Sequence, residues 1–336
     1  MKRKAGWILA ACRVAVACVV WAVRTGESRS AAEQRGAKRT LRLMTYNVGV
    51  FNKYLEDDFQ LVADVLLHER PDAVSLNELD SCTHRTGGIF QLERLASLME
   101  GWAFRFGAAM PFDGGAYGDG VMTRDDILRS ERFVLPQAGG AEPRALVIVE
   151  TEDYVFAATH LDHVSAAAQH EQVRAIDSLV ARFVAGVRKP VFLAGDMNAT
   201  PDSETLRLFR QRWRLLTPTD GGTYPSDPPR ECIDYIFAWR DGVPCEVIEA
   251  RVLTRPGAGD LRRASDHLPV LLEVAGLTAR NGYAHLLRGQ AHAVHDFCIF
   301  DILMSYTTTA LCYPRLYPPL LPSLMCALGR PGHLCC

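Results

Sequence analysis

Several short apolar runs in this sequence end or begin at a residue that could take part in catalysis. The run PVFLAG, for example, leads directly into Asp196, and Asn198 follows two positions later. One polar residue at a strand edge is ordinary, but the pattern recurs along the chain and favours convergence on one rim of a folded domain. The residues that share this position are Asn47, Glu78, His160, Asp196, Asn198, Asp234, Asp266 and His267.

Part of this set suits a divalent metal ion. Carboxylate and amide oxygens are hard ligands of the kind that Mg²⁺ and Mn²⁺ prefer, and Mg²⁺ keeps several waters when it binds a protein. We therefore predict a Mg²⁺ site, with Mn²⁺ as an alternative. Its ligand is expected to be Glu78, helped by Asn47 and Asp266.

The rest of the set suits proton transfer and charge stabilisation. His267 has a side chain that titrates near neutral pH, and Asp234 is expected to fix its tautomer. Asp196 is expected to take a proton from an attacking water. Asn198, two residues further along an extended chain, is expected to face the same way and to donate to a phosphoryl oxygen, as is His160.

Seven short motifs occur in a fixed order along the chain: MTYNVG, LNELD, YGDGVMTR, ATHLDH, GDMNATP, IDYIF and SDHLPV. Together they resemble the endonuclease/exonuclease/phosphatase superfamily, which has the DNase-I-like fold. The resemblance covers residues 41–275. It implies a four-layer α/β (α+β) sandwich, in which two mixed β-sheets pack together and helices flank them, and it implies metal-dependent phosphoester hydrolysis.

For each of these residues, the resemblance implies the role that its chemistry suggests. For Asn198, that role is to stabilise a pentacovalent transition state. It also implies that Tyr117, in a glycine-rich loop, contacts the phosphate as a catalytic residue. A packed loop tyrosine is an equal alternative for Tyr117. Asp119 stands where many relatives have an asparagine, which places a second acid beside the site.

Two further groups of charged residues each have two interpretations. Arg144, held by Glu142, could fork onto a phosphate, but a surface ion pair is the preferred interpretation. Asp162 and His163 mark either a loop near the substrate or a solvated turn. On the helix that follows, Gln172 and Arg174 are interpreted as surface residues.

Strands mixed with helices predict an α/β or α+β domain with mixed sheets. ALVIVETEDYVFAATH is typical of two strands around a short turn at Glu152–Asp153. Helices are predicted from a capping Asp58 to Pro71, over 89–101, from Ser165 to Gly186, and after Pro201 with Asp202 or Ser203 as the cap.

The remaining segments frame this domain. Residues 1–24 are basic and then apolar, which indicates a signal peptide or a membrane anchor. Residues 25–40 are interpreted as a linker, 41–275 as the catalytic domain, and 276–336 as a poorly ordered C-terminal extension of unknown function. The protein is therefore expected to be secreted or membrane-anchored. In the middle of the chain, Cys82 could form a bridge with Cys232 or Cys245.

Net charge is −2 and the isoelectric point is near 6.6, so the chain has no strong basic field to hold a long polyanion. The preferred function is hydrolysis of a phosphodiester or phosphomonoester by in-line attack of an activated water. Expected partners are a small phosphodiester, a lipid headgroup or nucleic acid, and a membrane through the N-terminal segment, with no obligate protein partner. The alternatives are a Mg²⁺-dependent endonuclease or exonuclease, a sphingomyelinase-like lipid phosphodiesterase, and a catalytically silent binding or anchoring module.

Overall fold

The computed structural model describes residues 39–53, 58–255, 257 and 259–277. The predicted signal or anchor segment lies outside the described residues, as do most of the predicted linker and nearly all of the C-terminal extension. Those assignments stay predictions, together with the export or membrane anchoring that follows from them. Within the described part of the chain, no helix is both long enough and apolar enough to cross a membrane.

Twelve strands within the described residues form two mixed sheets of six strands each. In chain order the strands are β1 (Arg39–Asn47), β2 (Ala73–Ser81), β3 (Ala103–Phe112), β4 (Gly115–Thr123), β5 (Arg129–Val134), β6 (Ala145–Glu150), β7 (Val155–His160), β8 (Val191–Asp196), β9 (Trp213–Leu215), β10 (Asp234–Trp239), β11 (Glu246–Val252) and β12 (Val270–Leu277).

Each sheet has one parallel strand pair and is otherwise antiparallel. The first sheet has the order β11-β12-β1-β2-β4-β3, and its parallel pair is β1 and β2. The second has the order β5-β6-β7-β8-β10-β9, and its parallel pair is β7 and β8. The predicted hairpin is confirmed as β6 and β7, which pair antiparallel around a turn at residues 151–154.

Four α-helices lie within the described residues, and capping residues explain where two of them start. Ser165 and Ser203 each accept a hydrogen bond from the first turn of the helix that they precede, at 3.2 Å. Asp58 stands at the predicted start of the first helix, but its side chain does not make the capping hydrogen bond. The helices are α1 (Phe59–Glu69), α2 (Gln91–Ser97), α3 (Ala166–Phe183) and α4 (Glu204–Arg212).

Alternation of side chains along the strands builds three apolar layers. Leu43 packs between the two sheets, whereas Met44, the next residue on β1, packs on the outer face with residues of α1 and α2. In the second sheet Val147 faces the other sheet, and Ile148 packs outward with residues of α3 and α4. Sheets covered in this way give helix, sheet, sheet and helix layers, so the predicted four-layer sandwich is confirmed.

Asp162 joins the two loops that flank the end of β7. Its Oδ2 accepts from Ala141 N at 2.6 Å, and its Oδ1 accepts from Val164 N at 2.9 Å and from Ser165 N at 2.7 Å. Burial alone would raise the pKa of Asp162, but the backbone donors, Ser165 first, outweigh it and lower the pKa. Asp162 is fully buried, so the solvated-turn interpretation is wrong for this residue.

Gln172 supports the same loops from α3. Its Oε1 accepts from Asp162 N at 2.9 Å, and its Nε2 donates to Pro136 O at 3.2 Å. It is fully buried, so its interpretation as a surface residue is wrong. Arg174, two residues on, is exposed and pairs with Glu171 at 2.7 Å, so its surface interpretation is confirmed.

We expect an Asp162→Asn variant to be less stable than the native protein by about 1–3 kcal/mol at neutral pH, because a carboxylate that accepts three N–H groups is replaced by a neutral amide. The folded pKa of Asp162 is lowered, so this stabilisation is present above the unfolded value of about 3.9. It is lost as pH falls through the lower folded value. Urea unfolding at neutral pH and below about pH 4 measures the difference.

The exposed Asp241, which pairs with Arg212 at 3.0 Å, provides the matched control. Asp241→Asn is expected to change stability by under about 0.5 kcal/mol. A free-energy difference between the native protein and Asp162→Asn that stayed constant with pH would contradict the role of the carboxylate charge.

Candidate active site

Most of the predicted site residues meet at one edge of the sandwich, around a cavity of about 440 Å³. Asn47, His160 and Asp196 end β1, β7 and β8, while Asp234 begins β10. Asn47 and Asp234 are buried and reach the cavity through hydrogen bonds to residues that line it. The predicted residues that line the cavity are Glu78, Tyr117, His160, Asp196, Asn198, Asp266 and His267.

Asp196, Asp234 and His267 form a buried cluster at this edge. Asp196 and Asp234 are direct cross-strand partners on β8 and β10. His267 Nδ1 donates to Asp234 Oδ2 at 2.9 Å, and His267 Nε2 lies 3.6 Å from Asp196 Oδ2. The imidazole therefore stands between two carboxylates.

The charges of this cluster reinforce one another. Burial lowers the pKa of His267, but Asp234 and Asp196 outweigh it and raise that pKa to about 10. Burial and the Asp234 charge raise the pKa of Asp196, while His267 opposes them. His267 is therefore an imidazolium at neutral pH, and Asp196 is an acid that takes up a proton more readily than an exposed aspartate.

The three side chains offer ligand atoms within 4.8 Å of one another, as a metal site would. A protonated imidazole has no lone pair for a metal, however, and His267 Nδ1 is already bonded to Asp234. The positive charge that two buried carboxylates require is supplied by His267 itself. We interpret this cluster as an acid–base group rather than as the metal site.

His160 and Asn198 lie on the other side of Asp196. His160 Nε2 is 3.5 Å from Asp196 Oδ2, and Asn198 Nδ2 donates to His160 Nε2 at 2.9 Å. Burial, followed by the Arg144 charge, lowers the pKa of His160 well below its usual range, so this imidazole is neutral and can accept that bond. His160 Nδ1 is buried without a hydrogen-bond partner in the described chain.

The backbone after β8 turns sharply to place Asn198. Asn198 has a φ of 45°, so it does not continue an extended chain as expected, and its N–H donates to Asp196 Oδ1 at 2.8 Å. Gly195 has a φ of 148°, and a Cβ there would collide with the carbonyl oxygen of Thr159. A glycine is therefore required one residue before the catalytic candidate Asp196.

Glu78 reaches the cavity from within β2, not from its end as expected. The strand continues to Ser81, and a register shift lies between Leu76 and Leu79. Glu78 has a φ of 58°, which is uncommon for a residue with a side chain. This bulge turns a side chain out of the strand alternation and into the cavity.

The residues predicted as metal ligands form an acidic part of the cavity wall. Asn47 Nδ2 donates to Glu78 Oε1 at 3.0 Å and to Asp196 Oδ2 at 3.2 Å, while its Oδ1 accepts from Gly49 N at 3.1 Å. Asn47 thus presents its NH₂ group to the two carboxylates. Its role as an oxygen ligand stays a prediction.

A cation already neutralises this acidic wall. Lys53 Nζ lies 2.7 Å from Asp266 Oδ2. Burial lowers the pKa of Lys53, but Asp266 and then Glu78 raise it, and the net shift is upward. Both carboxylates therefore act on one positive charge at the cavity wall, as the ligands of a divalent ion would. The donor set fits Mg²⁺ or Mn²⁺.

Two residues of β4 complete this part of the site. Tyr117 lies within β4 and not in a loop as expected. It lines the cavity, and burial, followed by the Glu78 charge, raises its pKa. Asp119 is buried, accepts from Asn77 Nδ2 at 2.9 Å, and has a pKa that burial raises to about 7. Asp119 therefore lies next to the site but does not line the cavity.

Asn77 is a buried residue that sequence reasoning missed. Besides Asp119, its Nδ2 donates to Thr159 O at 2.9 Å, and its Oδ1 accepts from Asp196 N at 3.1 Å. One amide thus ties β2 and β4 of the first sheet to β7 and β8 of the second. It has no sequence signal of its own, because it stands inside an apolar strand beside Glu78.

Arg144 lies just before β6 and lines the cavity with Glu142 and His163. Only 2% of Arg144 is exposed, so the surface ion-pair interpretation is wrong, although the ion pair with Glu142 exists at 3.0 Å. His163 Nδ1 accepts from Arg144 Nη2 at 3.1 Å.

Other residues of the cavity wall were not predicted. Tyr224 places its ring 4.8 Å from the His267 ring and belongs to a short antiparallel bridge with Glu231. Their segment, GTYPSDPPRE, reads as a loop, and nothing in its pattern points to a site. Cys82, Cys232 and Cys245 are all free thiols, so the possible bridge from Cys82 is not formed.

The family model for the endonuclease/exonuclease/phosphatase family matches residues 44–267. Solved structures with the same fold include a mannosyl-6-phosphatase from Bacteroides thetaiotaomicron VPI-5482, at 19% identity and a TM-score of 0.57, over 70% of this chain and 99% of that one. The catalytic domain of human nocturnin with a bound sulfate anion is 17% identical, with a TM-score of 0.54, over 73% and 99%.

An endonuclease/exonuclease/phosphatase from Beutenbergia cavernae DSM 12333 is 25% identical, with a TM-score of 0.55, over 70% of this chain and 72% of that one. No curated protein matches the sequence. The family match spans more than half of the chain and includes every predicted site residue. The chain therefore belongs to the endonuclease/exonuclease/phosphatase family and is a phosphate-ester hydrolase.

Proposed function

We propose that this protein hydrolyses a small phosphate ester in a metal-dependent reaction, by in-line attack of a water on phosphorus. The observation that carries the proposal is the position of Asp196. Its carboxylate lies between His267 Nε2, at 3.6 Å, and His160 Nε2, at 3.5 Å, at the wall of a cavity of about 440 Å³. Asp196, the proton acceptor, thus has the positively charged His267 on one side and the neutral His160 on the other.

Asp196 is the proposed general base. The attacking water forms a bond to phosphorus, its proton passes to Asp196, and the bond from phosphorus to the ester oxygen breaks. A base works best when its pKa approaches the working pH, and burial with the Asp234 charge shifts Asp196 in that direction. The departing alkoxide takes a proton from solvent.

His267 and Asn198 are proposed to stabilise the charge that develops on the phosphoryl oxygens. Asp234 holds the His267 ring by its Nδ1–H at 2.9 Å, so the Nε2–H of the imidazolium is directed toward Asp196 and the cavity. Asn198 is fixed by its own N–H and by the bond from its Nδ2 to Leu161 O at 3.0 Å. Its second Nδ2 hydrogen bonds to His160 Nε2 at 2.9 Å and is the one that would pass to a phosphoryl oxygen. Groups held in place before the reaction need little reorganisation in the transition state.

Glu78 and Asp266, with Asn47 beside Glu78, are the proposed metal-holding residues. When bound, a divalent ion supplies positive charge that neutralises phosphoryl oxygens and assists the leaving oxygen. Lys53 already provides one positive charge at Asp266. Lys53 and a bound divalent ion would together offset the negative charge of the acidic wall, which would otherwise repel an anionic substrate.

The size of the cavity favours a small ester over a polymer. A volume of about 440 Å³ lies at the low end of the range for small-molecule sites, and a net charge of −2 gives no general attraction for nucleic acid. One structural relative is a mannosyl-6-phosphatase, which supports a compact phosphorylated substrate. The nuclease and lipid phosphodiesterase alternatives have no comparable support from the cavity.

We expect Asp196→Asn to lower kcat by at least about 10²-fold, because the variant keeps the shape of the side chain but loses the base. Asn198→Ala is expected to lose about 10²- to 10³-fold through transition-state stabilisation. Hydrolysis of p-nitrophenyl phosphate and bis(p-nitrophenyl) phosphate in the presence of Mg²⁺ measures both. The exposed Asp241→Asn makes the same chemical change away from the cavity and is expected to retain native activity.

Thermal unfolding confirms that each variant is folded before its rate is compared. Native turnover in a folded Asp196→Asn protein would rule out this mechanism.

We expect EDTA to abolish hydrolysis and Mg²⁺ or Mn²⁺ to restore it. Glu78→Gln is expected to raise the Mg²⁺ concentration needed for half-maximal activity by at least about tenfold, because a charged ligand is lost. Mg²⁺ is also expected to raise the Tm of the native protein, since a ligand that binds only the folded state stabilises it. Glu152→Gln, at an exposed turn residue, is the matched control, and full activity in EDTA would contradict metal dependence.

A further inference from the structure

Arg144 lines the cavity at the edge of the second sheet, away from Asp266. In the second sheet, Arg144 precedes β6, His160 ends β7 and Asp196 ends β8. Because β6 runs antiparallel to β7, these residues lie at the same edge of three neighbouring strands. In the first sheet, Tyr117 on β4 packs over this side, since β4 contacts β6 and β7. Asp266 precedes β12, which contacts β10 instead. The guanidinium therefore lies away from Asp266, while Glu78, on β2 between β1 and β4, lies nearer the middle of the cavity.

The guanidinium of Arg144 is buried but not fully paired. Its Nη2 is shared between Glu142 Oε1 at 3.0 Å and His163 Nδ1 at 3.1 Å. Its Nε has no hydrogen-bond partner in the described chain. An arginine that only stabilised the fold would be expected to satisfy its donors, because burying an unmet charged donor is costly.

His163 adds a second donor beside Arg144. Because His163 Nδ1 accepts from Arg144, a neutral His163 carries its hydrogen on Nε2. The residue is exposed and lines the cavity. The loop that carries it is held by Asp162, which also holds the loop that precedes Glu142. Arg144, Glu142 and His163 are therefore positioned by loops that Asp162 holds in place.

We propose that Arg144, with His163, binds the terminal oxygens of a phosphomonoester, so that the enzyme prefers a monoester of a small alcohol to a diester. This inference rests on the proposed function. A monoester carries about −1.5 to −2 charges at neutral pH and three acceptor oxygens. A diester carries a single negative charge, and the third oxygen bears a carbon substituent. The planar guanidinium matches phosphate oxygens and gains most from the more highly charged group.

Arg144→Gln tests this specificity, with the full-length protein and two chromogenic substrates. We expect kcat/KM for p-nitrophenyl phosphate to fall by about 10- to 100-fold, the effect of losing a charged hydrogen bond. For bis(p-nitrophenyl) phosphate we expect a change of under about threefold, because one of the oxygens that Arg144 and His163 would bind in the monoester is esterified in the diester. Arg144→Lys is expected to recover part of the monoester activity, since lysine keeps the charge but not the fork. Arg174→Gln, at an exposed arginine, is the control.

Binding of inorganic phosphate provides a readout without turnover. We expect phosphate to raise the Tm of the native protein and of Asp196→Asn, but not that of Arg144→Gln. His163→Ala changes an exposed residue, and it covers the case in which Arg144→Gln does not fold. It is expected to weaken both phosphate binding and monoester hydrolysis.

The outcomes separate the two proposals. Equal losses on both esters, or no loss on the monoester, would overturn the role of Arg144 while leaving the hydrolytic mechanism intact. If the native protein hydrolysed neither ester, the proposed function would fail, and the phosphate-binding comparison would still decide whether Arg144 forms an anion site.

Discussion

Two buried acids that face each other across a strand pair impose the main electrostatic constraint on this structure. Asp196 and Asp234 are direct partners on β8 and β10, and both are buried. Like charges in directly opposite positions repel, and burial strengthens the repulsion. His267 relieves it by standing between them as an imidazolium. Because His267 comes from the segment that precedes β12, the charge balance of one sheet depends on a residue supplied by the other.

That dependence links chemistry to the packing of the sheets. Asn77 bonds to residues of both sheets, and Ser265 Oγ donates to Asn47 O at 2.7 Å while it accepts from His267 N at 3.1 Å. Apolar contacts between sheets tolerate small slides, whereas buried hydrogen bonds do not. The apolar layer brings the two sheets together, and these few polar contacts set the register in which the catalytic groups meet.

The sequence was sufficient to predict which residues gather at the site, because strand periodicity places strand ends at a common edge and the residues there had chemistry in common. The sequence was insufficient where contacts between distant segments determine the backbone conformation or the burial of a residue. Glu78 reaches the cavity only because β2 has a bulge, which the sequence pattern does not predict. Gln172 and Arg144 were interpreted as surface residues, and Asp162 as part of a loop near the substrate or of a solvated turn. A polar side chain in a loop or on a helix does not show which other loops cover it.

Four of the five strands that were not predicted, β3, β5, β9 and β11, lie at sheet edges. β5 (RSERFV) and β11 (EVIEARV) are edge strands whose residues are mostly exposed or half-buried. An edge strand needs little apolar alternation, and charged residues there discourage pairing with other molecules. β9 has three residues, too few for any period. Most central strands, covered on both faces, had the continuous apolar runs that made them recognisable. The exception is β4 (GAYGDGVMT), whose three glycines are typical of a loop.

Negative and positive side chains are unevenly distributed along the cavity wall. The acidic wall of Glu78 and Asp266 attracts a cation, and Lys53 already responds to both. The Asp196–His267 pair stands next along the strand order, and Arg144 with His163 stands beyond it. A phosphate ester that arrives with a divalent ion has the same polarity, with its cation at one side and its free oxygens at the other. Under the proposed mechanism, electrostatics would orient the substrate before any contact with the leaving group, and a cavity with few apolar contacts would still align an ester for in-line attack.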